Sequence, residues 1–180
     1  QAQIESALQQ FLGAQQQTPP MTSALKHQGK ALYEYARAGI EIPREARAIV
    51  IFRLQLLSCF ENGFQMLVSC SKGTYIRVLA QDIGDYLGCG AHLTGLRRTQ
   101  TANLSLENAV TIEHLENTAE SQRAALLLPV DCLLADYPAL YLSAEDRFAL
   151  QQGRDLPSPS TTLGRYRLYD TAGDFFGLGL

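Results

Sequence analysis

Apolar residues recur at helical spacing at the start of the chain. Ile4, Ala7, Leu8, Phe11 and Leu12 predict a short amphipathic helix over residues 3–12, with Gly13 as its C-cap. A polar run ending in two prolines, Gln15 to Pro20, reads as a loop, and residues 21–29 read as irregular. Residues 31–38 predict a helix stopped by Gly39, and Pro43 marks 40–46 as extended. The period then changes. Residues 47–60 predict a long strand, and Asn62-Gly63 predicts a tight turn into an antiparallel partner over 64–71. Ile76, Leu79, Ala80, Ile83 and Leu87 return to helical spacing over 75–87, ending at Gly88, and residues 90–99 predict a strand. Weaker helices are expected over 111–115 and 121–128. From Tyr137 the pattern shortens: a strand over 139–142, a helix over 145–151 capped by Ser143 and stopped by Gly153, a Pro/Ser stretch at 157–160, and strands over 166–170 and 175–180. This change of style places a domain boundary near 136, dividing 1–135 from a small β-rich module over 136–180.

The junction at Cys70-Ser71-Lys72-Gly73-Thr74-Tyr75-Ile76-Arg77 carries the most chemical information. Thr74 is a good N-cap type, so Tyr75 and Arg77 fall in the first turn of the following helix. A cation there opposes the helix dipole, which disfavours it by a few tenths of a kcal/mol. A carboxylate or a phosphate beside Arg77 would offset that cost. The local alternative is a contact with Gln81 or Asp82 on the same helix; Asp82 lies five residues on, a poor spacing for a helical pair.

Composition narrows the class. Apolar residues make up 46% of 180 and charged residues 18%, which suits a folded chain rather than a disordered one. No apolar run approaches bilayer-spanning length, so no membrane association is expected. The chain begins Gln1-Ala2-Gln3, with neither an initiator Met nor a signal-peptide pattern, and reads as an internal piece. Cys59, Cys70, Cys89 and Cys132 form no CxxC pair and read as buried free thiols of a reducing compartment. Cys89 and His92 have a metal-like spacing, but with no second pair no zinc site is expected. The net charge of −3 hides an asymmetry: residues 20–100 hold ten Lys/Arg against six Asp/Glu, and residues 101–180 hold five against eleven. An anionic partner would therefore bind the first half, although such an excess is also compatible with an ordinary solvated surface.

Several stretches together resemble the bacterial tRNA pseudouridine-55 synthases, in that family's order and spacing. They are Pro19 to Lys26, Gly29 to Gly39, Ser71 to Arg77, Leu87 to Leu93 and Leu96 to Thr99. The resemblance covers about residues 1–135, and 137–180 resemble the start of the family's C-terminal module, which is similar to PUA domains. It implies an α+β fold, a mixed and mostly antiparallel sheet flanked by helices with a small C-terminal β-rich module. It also implies isomerisation of a T-loop uridine to pseudouridine by base flipping, with no cofactor and no metal, in a cytoplasmic monomer acting on the tRNA T-stem-loop.

The family's catalytic Asp, and a Tyr that stacks on the flipped base, belong to motifs upstream of the stretch matched here, so this chain alone is expected to be inactive. By the same resemblance Arg77 pairs with that Asp and Tyr75 packs under the target base. Leu96 forms an apolar wall, and residues 20–48 correspond to a thumb insertion that closes over the RNA loop. Lys26, Lys30, Arg37, Arg44 and Arg47 in the thumb suit phosphate contacts, as do Lys72, Arg97 and Arg98 elsewhere. If 90–99 is a strand, only one of Arg97 and Arg98 faces the RNA. Thr22 stands where many members carry an aromatic or imidazole side chain, so no stacking role is implied there. The alternative is a piece that binds and remodels RNA without catalysis.

Overall fold

The computed structural model describes residues 1–157 and 164–180. Residues 158–160 of the expected Pro/Ser stretch thus lie outside the described residues. The chain forms two compact units, 1–96 and 97–180, and the change of style at Tyr137 falls within the second.

In the first unit, helix α1 (Ala2–Gln10) leads into strand β1 (Gly13–Gln17), through Gly13 at φ +85°. A two-rung hairpin of β2 (Lys26–His27) and β3 (Lys30–Ala31) and helix α2 (Leu32–Arg37) follow. The long β4 (Arg47–Phe60), β5 (Gly63–Cys70) and helix α3 (Ile76–Tyr86) complete the unit. The main sheet has the order β1-β4-β5 and is antiparallel throughout, with Gln17 opposite Arg47, Ile51 opposite Cys70 and Phe60 opposite Gly63.

Strand β1 corrects the loop expected from its glutamines. Their polarity and low β-propensity are overridden by the backbone ladder with Arg47–Ile51, which leaves Ala14 and Gln16 exposed and buries Gln17. The core is built from Leu8 of α1, Ile49, Ile51 and Leu54 of β4, and Leu79 and Ile83 of α3. A bulge between Ile51 and Arg53 explains the odd interval between Ile51 and Leu54. Phe52 is the extra residue; it is 64% exposed, and the alternation restarts one position later so that Leu54 points inward.

Two further expectations fail. Residues 90–99 are irregular, with only Gln100–Thr101 (β6) pairing with Leu104–Ser105 (β7), so strand alternation does not separate Arg97 from Arg98 and both are exposed. The four thiols are free, but Cys59 and Cys89 are exposed and Cys70 and Cys132 half-buried. Cys59 lies on the outer reach of β4 beyond the core, and Cys89 in the turn after α3.

The second unit continues with short helices α4 (Ile112–Asn117) and α5 (Glu120–Arg123), then strand β8 (Ala139–Tyr141) and helix α6 (Ala144–Gln151). The Ser143 hydroxyl caps α6 by accepting from the Asp146 N–H. Strands β9 (Tyr166–Tyr169) and β10 (Phe175–Gly179) complete a sheet of order β10-β9-β8, in which β8 runs parallel to β9.

This sheet is tied to the preceding segment through Asp131. Its carboxylate accepts from Arg167 Nη1 at 3.0 Å and from the Tyr169 hydroxyl, and Arg167 Nε donates to the Tyr137 carbonyl at 2.9 Å. The Tyr169 bond, with help from Arg167, holds the Asp131 carboxyl below the usual carboxylate range against the opposing effect of burial. Asp170 is lowered too, chiefly by the turn N–H groups of Asp174 and Ala172.

A depressed folded-state pKa means that the unfolded chain binds more protons at acid pH. The contribution is therefore complete above the ordinary carboxylate value of about 4 and is lost as pH falls through the folded value. We predict that the urea midpoint of this unit falls steadily below about pH 5, and that Asp131→Asn lowers the midpoint at pH 7 and flattens the acid limb. An unchanged acid limb in that variant would contradict the assignment.

Candidate functional site

The turn between β5 and α3 is built by side chains that stand in for backbone. The Ser71 N–H donates to the Val50 carbonyl at 2.8 Å, and the Ser71 hydroxyl accepts from the Val50 N–H at 2.9 Å, extending the sheet by one residue. Gly73 turns the chain at φ +86°, a conformation that L side chains rarely adopt. The Thr74 hydroxyl bonds backward, donating to the Ser71 carbonyl at 2.9 Å. Thr74 is therefore not the cap; Tyr75 holds the N-cap position, with extended backbone.

Tyr75 is gripped by the last residue of β1. Gln17, 4% exposed at the end of β1, accepts from the Tyr75 N–H at 2.7 Å and donates from Nε2 to the Tyr75 carbonyl at 3.2 Å. One carboxamide thus bonds both main-chain groups of the half-buried Tyr75, satisfying its N–H and adding to the Val78 and Leu79 N–H groups that its carbonyl accepts.

Arg77 is the second residue of α3, and its side chain reaches away from the helix. Nη1 donates to the Thr22 hydroxyl at 2.9 Å and Nη2 to the Thr22 carbonyl at 3.0 Å. Neither Gln81 nor Asp82 is its partner in these bonds. Asp82 instead lines a cleft of about 580 Å³ together with Gln17, Thr18, Met21, Arg44 and Gln81. Burial, and next the charge of Asp85, raise its carboxyl above the usual range.

The segment leading to Thr22 and beyond is ordered by its own contacts. Gln28 and Gly29, both at positive φ, form the two-residue turn between β2 and β3. Lys30 Nζ sits 5.0 Å from the centre of the Tyr35 ring, and the Tyr35 hydroxyl donates to the His27 carbonyl. Arg37 lies over Tyr33 at 5.3 Å. Lys26, Lys30, Arg37 and Arg47 are exposed.

Arg44 behaves differently from the phosphate ligand expected of it. Its guanidinium is committed to the carbonyls of Ile42 and Pro19 and to the Glu41 carboxylate, so it fastens the segment instead. Lys72 is exposed in the turn before α3. Leu96, at 67% exposure, lies on the irregular stretch after α3, and Arg97 and Arg98 open the second unit.

Tyr75 and Arg77 are thus brought together with Gln17 and Thr22 within the first unit, while Lys26 and Lys30 share the hairpin. The sequence reading missed Gln17 and the role of Thr22. Their only local signals were a glutamine closing a polar run, and a threonine in place of a ring. Among the described residues, no three His, Cys, Asp or Glu side chains gather as a metal-binding group.

Comparison with known proteins gives three family matches in succession. Residues 1–76 match the TruB family pseudouridylate synthase N-terminal domain, 77–135 the tRNA pseudouridylate synthase B C-terminal domain, and 138–180 the pseudouridine synthase II TruB C-terminal region. The chain is 51% identical over 180 residues to the tRNA pseudouridine synthase B of Methylobacillus flagellatus, covering 99% of this chain and 60% of that protein. It is 49% identical over 177 residues to that of Thiobacillus denitrificans, covering 98% and 59%. The chain therefore spans about 60% of the length of these curated relatives.

Among solved structures, it resembles a chain of a Cbf5-Nop10-Gar1 complex, with a TM-score of 0.73 at 22% identity over 99% of this chain and 54% of that one. It also resembles a chain of an H/ACA RNP bound to a substrate RNA containing 2′-deoxyuridine, with a TM-score of 0.71 at 20% identity over 99% and 53%. At these identities the likeness establishes the fold.

Proposed function

Because the chain belongs to the TruB family of pseudouridine synthases, we propose that it supplies the supporting half of the site in an enzyme that isomerises a T-loop uridine of tRNA to pseudouridine. In that reaction the glycosidic C–N bond breaks, the base turns, and a C–C bond to the ribose forms. The step is a net isomerisation and consumes no co-reactant. The nucleophilic carboxylate comes from outside these 180 residues. Arg77 meets it, keeps it ionised by its positive charge and aims it. Tyr75 packs under the flipped base and Leu96 adds an apolar wall, offsetting the few kcal/mol of stacking lost on extrusion.

Lys26 and Lys30 on the hairpin, with Lys72, Arg97 and Arg98, take phosphates. The observation that carries this reading is the state of Arg77. A guanidinium stands at the unfavourable end of a helix dipole, and among the described residues its bonds go to the neutral Thr22. Such a placement suits an arginine that receives an anion from elsewhere.

The exposed basic hairpin is fully formed within the chain, which also supports RNA binding by the 180 residues alone, without turnover. A T-stem-loop RNA separates the two capacities. Mass-spectrometric detection of pseudouridine is expected with the enzyme that contains this chain and not with the chain alone; turnover by the chain alone would place the nucleophile within it. For either protein, log K is expected to fall linearly with log salt. Lys26→Ala and Lys30→Ala should each lower the slope by roughly 0.7–0.9. A slope unchanged in both variants would remove the hairpin from the phosphate interface.

A further inference from the structure

We propose that Thr22 is a positioning residue for Arg77, setting the direction in which the guanidinium presents its charge. The inference deepens the reading above and rests on it for the catalytic consequence. Thr22 lies 55 residues before Arg77, yet its side-chain and main-chain oxygens are both engaged by the same guanidinium. Two bonds from the two terminal nitrogens to one residue fix the plane of the group as well as its position. They use two of five N–H donors and leave the Nε edge for a carboxylate.

The turn that carries Thr22 is itself held on both sides. The Pro19 carbonyl accepts from Arg44 Nη1 at 3.1 Å, and the Ser23 carbonyl accepts from the Tyr33 N–H at 3.1 Å. Ser23 is buried, whereas Thr22 is exposed. Thr22 therefore contributes little to packing, and the backbone that carries its hydroxyl is held on either side through Pro19 and Ser23. The segment that bears the basic hairpin is in this way bonded directly to the arginine, so that the placing of one constrains the other.

The test compares Thr22→Val and Thr22→Ser in the enzyme that contains this chain. Valine keeps the shape and the carbonyl but removes the hydroxyl; serine keeps the hydroxyl. With the T-stem-loop RNA, Thr22→Val is expected to lower kcat roughly tenfold, the loss of one hydrogen bond to a charged group, with KM within about twofold of the parent. Thr22→Ser is expected to retain kcat within about twofold. A serine variant as slow as the valine variant, a change confined to KM, or no change in kcat would each overturn the assignment.

A second measurement does not depend on turnover. In protein labelled with 15N-arginine, the Arg77 Nε–H group is expected to gain mobility in Thr22→Val and to stay ordered in Thr22→Ser. If the parent enzyme forms no pseudouridine but the valine variant frees Arg77, the functional reading fails and the positioning role stands. If Arg77 is equally ordered in all three proteins, the positioning role fails whatever the activity.

Discussion

Arg77→Ala, made in the enzyme that contains this chain, is expected to reduce pseudouridine formation by about a hundredfold to a thousandfold, the range seen when a preorganised charge-stabilising donor is removed. The dissociation constant for the T-stem-loop should stay within about threefold of the parent, because a single charge is a small part of a multi-phosphate interface. Stability should hardly change. The side chain is exposed, and its two bonds to Thr22 are offset in part by removal of a cation from the first turn of α3. Arg77→Lys should rescue little, since an ammonium is a point charge and cannot hold Thr22 and a carboxylate in one plane. Turnover and binding measured on the same preparation check this. Equal loss of both would make Arg77 an RNA ligand or a structural residue, and retained turnover would dissolve its proposed role.

Gly84→Ala is expected to be among the most damaging single changes to the first unit, although it adds only one methyl group. The residue is buried in α3, and a Cβ there would stand 2.2 Å from the Ala91 nitrogen and 2.3 Å from the Gly90 carbonyl carbon. Both are backbone atoms, so no rotamer change relieves the clash. The same turn is fastened to the helix from the other direction: the Cys89 and Gly90 N–H groups both donate to the Gly84 carbonyl, at 3.1 and 3.0 Å. Helix and turn would have to separate, breaking those bonds. We expect a loss of about 3 kcal/mol, at the upper end of overpacking costs, read as a lower urea midpoint with an unchanged slope. Gly95→Ala is the control, because a Cβ there meets nothing within 4 Å. Equal stability of the two variants would show that the turn does not pack on the helix as described.

Local signals account for what was legible in the chain. The β4–β5 hairpin follows from its two flanking strands, although its turn is Glu61-Asn62 rather than the expected Asn62-Gly63, with Gly63 already opposite Phe60 in β5; α3 and α6 follow from apolar spacing and stop signals within a dozen residues. What escaped depends on partners far along the chain. Residues 13–17 carry no apolar alternation of their own; β1 forms because Arg47–Ile51 offers it a ladder, which nothing within Gly13–Gln17 announces. Conversely, residues 90–99 carry only a brief alternation around Ala91 and Leu93 and form no strand, and their first residue is committed to Gly84.

At the site, the family-like motif located Tyr75 and Arg77 at the start of a helix, one residue off at the cap. Their partners were invisible because Gln17 and Thr22 lie 58 and 55 residues away. Arg44 shows the limit of counting charge: it is basic and lies in the right segment, but three of its five donors are committed to main-chain oxygens and Glu41.

The grip of Gln17 on Tyr75 has a consequence for how position 75 can vary. Both bonds go to main-chain atoms, so they are blind to the side chain that the residue carries. The place of the residue and the identity of its ring are thereby set by different parts of the sequence. Any L residue that accepts extended backbone and keeps its N–H can be exchanged there without loosening the start of α3, proline alone losing the donor. Position 75 is thus a socket, in which the side chain can be changed while the frame around it stays still.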